Sequence, residues 1–136
     1  MLAGEYSMKE IIFTEKATSP TAPYSQAVRI GNIVALAGVC GDDPATGKIM
    51  GDGDIRIETK YAMENLKATI TAAGGCMNDI IKVRVFINDI KKMGDFNSVY
   101  TDYFEDGYLP ARVAMQIVCL AGEANLEIEA DAVIER

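Results

Sequence analysis

Hydrophobic positions alternate with polar ones, or cluster in short β-branched runs, in six stretches of this chain. In two others they recur at helical spacing. The strand-like stretches are Lys9 to Phe13, Ser25 to Ile30, Ile33 to Ala37, Asp79 to Ile87, Arg112 to Leu120 and Asn125 to Ile134. Gly31-Asn32 between the second and third predicts a two-residue hairpin turn. Asp54 has the character of an N-cap, and Ile55, Thr59, Ala62, Leu66, Thr69/Ile70 and Ala73 follow at helical spacing. Arg56, Glu58, Lys60, Glu64 and Lys67 are expected to face away from them, with Gly74-Gly75 as the stop. A second helix is predicted from Lys91 or Met93 to Phe104. Turn residues mark loops at Thr18 to Pro23 and Gly41 to Gly53.

The resulting order, β-β-β-α-β-α-β-β, predicts an α/β sheet with both helices on one face. The other face is then wet or covered by something else. On the last strand Leu126, Ile128, Ala130, Ala132 and Ile134 share one side, and Glu127, Glu129, Asp131 and Val133 the other. The preceding strand is largely apolar on both sides beyond Arg112, Gln116 apart. With helices covering one side only, self-association is the simplest cover for the second.

The chain has 136 residues, 49% of them hydrophobic and 24% charged, which is ordinary for a single globular domain. No apolar run reaches the roughly 18 residues of a membrane span, and no export signal is visible, so a cytoplasmic location is expected. The domain is expected to span residues 8–136, with residues 1–7 a disordered or non-native extension. A net charge of −7 disfavours binding to a phosphate backbone, which needs clustered Lys and Arg. It does not exclude a small anion held by one local Arg. The three cysteines, Cys40, Cys76 and Cys119, show no metal-ligand spacing, and the chain has no His, which argues against a structural zinc and against Ser-His or Cys-His nucleophiles. Cys119 lies among apolar residues and reads as a core thiol.

Pro110-Ala111-Arg112 places a permanently charged, planar fork at a strand start. Such an Arg is a candidate clamp for a carboxylate, and its bland alternative is a surface ion pair. Glu127 is either a functional carboxylate or one member of a solvated acidic face. In a simple hairpin Glu127 would lie opposite Cys119, about 20 Å from Arg112. Either the last two strands are not neighbours, or the two side chains converge across a subunit boundary.

The run Ala22-Pro23-Tyr24-Ser25-Gln26-Ala27-Val28 resembles the N-terminal signature of the Rid (YjgF) family of reactive-intermediate deaminases. The resemblance continues through Asp43-Pro44-Ala45-Thr46-Gly47-Lys48, Asn97-Ser98-Val99-Tyr100, Pro110-Ala111-Arg112 and Glu127-Ile128-Glu129-Ala130. These motifs stand in order and span the chain from about Met8 to Arg136. The resemblance implies a chorismate-mutase-like fold, a mixed sheet with two helices on one face, and a homotrimer with a cleft at each interface. It implies cofactor-free hydrolysis of 2-imino acids, such as 2-iminobutanoate and 2-iminopropanoate, to 2-keto acids and ammonia.

In that reading Arg112 grips the substrate carboxylate and Glu127 positions water and shuttles protons. Tyr24, Gly38, Asn97 and Ala114 line the substrate site. Two positions depart from the pattern. Ala37 stands where many members have Ser, and Ala114 where many have Cys, so altered preference or rate is expected rather than lost chemistry. The competing reading is a metabolite-binding regulatory trimer without turnover. Neither reading involves a metal, a nucleic acid or a membrane. A ribonuclease role, attached to some relatives, fits poorly with the acidic charge and the absent His.

Overall fold

The structure is a computed structural model and describes residues 8–135; the expected extension at residues 1–7 lies outside the described residues. Six strands form one sheet: β1 (Lys9–Ile12), β2 (Ala27–Ile30), β3 (Ile33–Cys40), β4 (Ile80–Ile87), β5 (Ala111–Gln116) and β6 (Leu126–Val133). Their order across the sheet is β1-β2-β3-β6-β4-β5. Only the β4–β5 pair is parallel, so the sheet is mixed as expected. That pair needs a crossover, which α2 (Met93–Tyr100) supplies.

β6 sits in the middle, between β3 and β4. Leu126, Ile128, Ala130 and Ala132 are buried, while Glu127, Glu129, Asp131 and Val133 stand half-exposed on the other face. Val34 and Leu36 of β3 and Val83, Val85 and Ile87 of β4 complete the buried face. Against it pack Ala62, Met63, Leu66 and Ile70 of α1 (Ile55–Ala72) and Phe96 and Tyr100 of α2. The two-residue period of the strands and the 3.6-residue period of α1 thus point their apolar stripes at the same layer.

Both ends of α1 are fixed as the sequence implies. The Asp54 carboxylate accepts from the Arg56 backbone N–H at 3.0 Å. At the other end Gly74, with φ of 94°, lets its own N–H reach the Thr71 carbonyl while the Gly75 N–H reaches that of Ile70, both at 3.0 Å. Arg29 adds a donor from β2, its Nη1 lying 2.6 Å from the Ala73 carbonyl oxygen.

Four expectations change. Glu58 does not face away: it is fully buried, and its carboxylate accepts from the Asn125 backbone N–H at 2.8 Å and from Asn125 Nδ2 at 2.7 Å. These bonds replace the water that burial removes, and they pin α1 to the start of β6. β3 does not stop at Ala37. It continues to Cys40 through a bulge, because Ala37 and Gly38 together oppose the single residue Glu129. β5 ends at Gln116, and the chain then leaves the sheet edge, so Cys119 is exposed rather than core and Val118 is 98% exposed. The second helix is shorter than expected, ending at Tyr100 and running on as a 3₁₀ turn over Thr101–Tyr103.

Gly41 follows the bulge and abuts α1 so closely that an added Cβ would overlap the backbone carbonyl oxygen of Glu58. Gly94, inside α2, meets nothing within 4 Å. Gly41→Ala is therefore expected to lower stability by about 1–3 kcal/mol, and Gly94→Ala to raise it by about 0.5–1 kcal/mol. Urea denaturation midpoints of the two variants check both signs.

Candidate functional site

Arg112 is the second residue of β5, on the edge of the sheet, and is level with Val83 of β4. Because Val83 is fully buried, Arg112 points to the helix side. There its Nη1 donates to Asn97 Oδ1 at 2.7 Å. Its guanidinium carbon lies 5.0 Å from the Tyr100 ring centroid and 6.0 Å from that of Phe96. Phe96, Tyr100 and Phe104 stack in turn, with centroids 5.5 and 5.0 Å apart. This is a rigid aromatic floor beneath the cation. Burial pushes the Tyr100 phenol up to about 12, opposed by the neighbouring Arg112, so Tyr100 acts as a neutral ring. Ala114, two positions along, shares this face and is half-buried against the core.

Glu127 occupies the opposite face. It is the second residue of β6, directly across from Cys40 of β3, and its Oε1 lies 3.6 Å from the Cys40 thiol, which donates. The next two acids on this face are tied elsewhere. Arg84 reaches Glu129 at 3.5 Å and Asp131 at 3.1 Å. Glu127 lies beyond that network. A Cβ at Gly38 would stand 2.8 Å from Glu127 Cδ, so the missing side chain leaves the carboxylate its space. Tyr24 stands over the same region, half-exposed. Its phenol is raised by burial first and then by electrostatic interaction with the Cys40, Asp42 and Glu127 groups. Asp42 is itself raised by burial, and hydrogen bonds from Thr18 and Asn65 oppose the shift.

The expected residues therefore gather in two halves. Tyr24, Gly38 and Glu127 meet on the open face of the sheet; Arg112, Asn97 and Ala114 meet on the helix side. β4 separates the two strands, and Glu127 is level with Phe86, three positions along β4 from Val83. That amounts to about 10 Å across the sheet and about 10 Å along it, with the side chains on opposite faces. One chain cannot bring both to a small acid. The open face beside Glu127 also carries Val113 and Met115, each 39% exposed.

Three features were not anticipated from the sequence. Asn97 accepts from Arg112, the aromatic floor lies beneath that Arg, and Cys40 is the hydrogen-bond partner of Glu127. The floor was readable in principle, since Phe96, Tyr100 and Phe104 recur every four residues. The Cys40 contact depends on the bulge in β3, which no local pattern announces.

A sequence profile of the family described as endoribonuclease L-PSP matches residues 14–134. A RutC family protein of Pyrococcus horikoshii is 46% identical over 125 residues, covering 92% of this chain and 98% of the relative. The 2-iminobutanoate/2-iminopropanoate deaminase of Mus musculus is 37% identical over 126 residues, covering 93% and 92%. The chain belongs to the Rid (YjgF) family. Among solved structures, that of Escherichia coli TdcF with bound serine superposes with a TM-score of 0.85 at 37% identity, covering 91% of this chain and 98% of that one. The Rid fold expected from the motifs is thus the fold observed.

Gly38→Ala tests how the Glu127 half is built. The atoms a new Cβ meets are the end of a half-exposed side chain rather than backbone, so the variant should fold with a stability loss under about 1.5 kcal/mol. Its crystal structure should show the Glu127 carboxylate displaced from Cys40. An unmoved carboxylate would contradict the tight fit.

Proposed function

We propose that this Rid protein hydrolyses small 2-imino acids, of the 2-iminobutanoate and 2-iminopropanoate kind, to 2-keto acids and ammonia. In this reading it works as a homotrimer, with each site shared between two copies. The observation that carries it is Arg112, a guanidinium held by one neutral amide oxygen and an aromatic floor, with no carboxylate beside it among the described residues. The deaminase name of the mouse relative and the serine bound to TdcF support it. Serine, like a 2-imino acid, carries its nitrogen on the carbon next to a carboxylate.

The Arg112 fork of one copy takes the substrate carboxylate, a charge-assisted contact worth about 1.5–3 kcal/mol. Glu127 of a second copy orients a water on the imine carbon and accepts its proton as the C–O bond forms. The carbinolamine then collapses. For the protonated imine, Glu127 returns that proton to the nitrogen and takes up the hydroxyl proton as the C–N bond breaks and the C=O bond forms, so ammonia leaves and the keto acid remains. Water supplies the oxygen, and no electron changes hands. Tyr24 walls the Glu127 side, while Asn97 holds the Arg112 fork in plane. Ala37 and Ala114 offer no hydroxyl or thiol, so backbone groups serve at those positions.

The direct assay generates the imine with an amino-acid dehydratase and follows keto-acid release with and without the protein. Arg112→Ala should lower kcat/KM roughly 10- to 150-fold, the equivalent of the lost contact. Glu127→Gln should lower kcat about 100-fold or more. No acceleration by the wild-type protein would overturn the reading. Retained keto-acid binding without turnover would instead favour a regulatory metabolite-binding trimer.

The shared site has its own check. Arg112→Ala and Glu127→Ala chains, each strongly impaired alone, are unfolded together, refolded and assayed at low substrate. About a quarter of the interfaces in a random mixture would pair an intact Arg112 with an intact Glu127, so roughly a quarter of wild-type activity should return. A mixture no more active than its parts would show that one chain supplies both groups.

A further inference from the structure

Glu127 lies among three acids on one strand face, yet its surroundings differ from those of the other two. Glu129 and Asp131 share Arg84. Glu127 takes a single donor among the described residues, the Cys40 thiol, on Oε1. Its other oxygen, Oε2, lies where a Cβ at Gly38 would be 3.0 Å away. Both neighbours are products of the same bulge, which opposes Ala37 and Gly38 to Glu129 and brings Cys40 back into register with Glu127.

We propose that Cys40 is a positioning residue for Glu127: its thiol ties one carboxylate oxygen while glycine at position 38 leaves room for the carboxylate to lie there, so the second oxygen, which takes no donor among the described residues, is set to take a proton from water. This rests on the deaminase reading for its consequence in turnover, though not for the contact itself. A thiol is a weak, neutral donor. It can therefore orient a carboxylate without neutralising it, as Arg84 does for the neighbouring acids.

The surroundings of Cys40 fit a donor rather than a nucleophile. The thiol is pushed up to about 12, first by burial and then by Glu127, with Asp42 and Glu58 adding in the same direction. Tyr24 is the remaining titratable group coupled to it. No cation faces it among the described residues, so it stays protonated through the neutral range. The chain's other cysteines, Cys76 and Cys119, are exposed.

Two measurements test the contact and its consequence separately. In the infrared spectrum, the S–H stretch that vanishes in Cys40→Ser belongs to Cys40. It should be displaced to low frequency in the wild type and move to the free-thiol position in Glu127→Ala. In the imine assay, Cys40→Ala should lower kcat about five- to tenfold with KM within twofold, because substrate is held by the distant Arg112. Cys40→Ser, which keeps a donor, should stay within about threefold of the wild type. Denaturation midpoints accompany each variant, so that a folding loss is seen as such.

An undisplaced S–H band overturns the proposal whatever the assay gives. Full kcat in a folded Cys40→Ala also overturns it. A displaced band in a wild-type protein that hydrolyses no imine keeps the clamp and removes the deaminase reading.

Discussion

The pleat of β6 is the constraint on which the remaining structure depends. Its period of two sends Leu126, Ile128, Ala130 and Ala132 into the layer beneath the helices and Glu127, Glu129 and Asp131 to the other side. A slip of one residue would put three carboxylates into the core and four apolar groups outside, so the register has no near competitor. Strands on both sides are locked to that choice. β3 meets it through the bulge at Ala37 and Gly38, and β4 through the shift between Ile80 and Lys82. The buried Glu58–Asn125 contacts hold α1 at the entrance of the same strand.

From that register follows the division of the site. The strand that carries Glu127 is central, and the strand that carries Arg112 is at the edge and enters from the helix side. Their side chains therefore leave opposite faces of one sheet. No rotamer change bridges two faces. If the two groups serve one small substrate, a second copy would have to bring its β5 edge to the first copy's open face. The apolar Val113 and Met115 on that open face are what such a contact would cover.

Much of this was legible in the sequence, and the failures have a common cause. The strands and α1 were readable because each has a period and punctuation: alternating positions in β6, Asp54 and Gly74 at the ends of α1. The incompatibility of Arg112 and Glu127 with a simple hairpin was also readable, and the sheet resolves its first half by inserting β4 between β5 and β6. Glu58 was misassigned because charge outweighed position. It falls on the stripe of Ile55 and Ala62, and only the distant Asn125 makes its burial tolerable. Cys119 departs from its expected place in the core because the strand ends at Gln116 although the apolar run continues. The roles of Gly38 and Cys40 depend on a bulge, a property of two strands together that neither encodes alone.

The arginines show why Arg112 stands apart in a chain of net charge −7. Arg84 is bound to Glu129 and Asp131, and Arg56 to Asp95. Arg29 is occupied by the carbonyls of Gly31 and Ala73. Arg112 alone among these combines a neutral side-chain acceptor with aromatic faces. An amide oxygen and a π face hold a guanidinium in place without cancelling its charge, whereas a carboxylate would do both. Glu127 shows the same logic with the sign reversed, oriented by a neutral thiol and kept away from Arg84. Each half of the site thus fixes a charge by neutral contacts. In the proposed reaction the two groups act on one ligand between them, an anion with an adjacent electrophilic carbon.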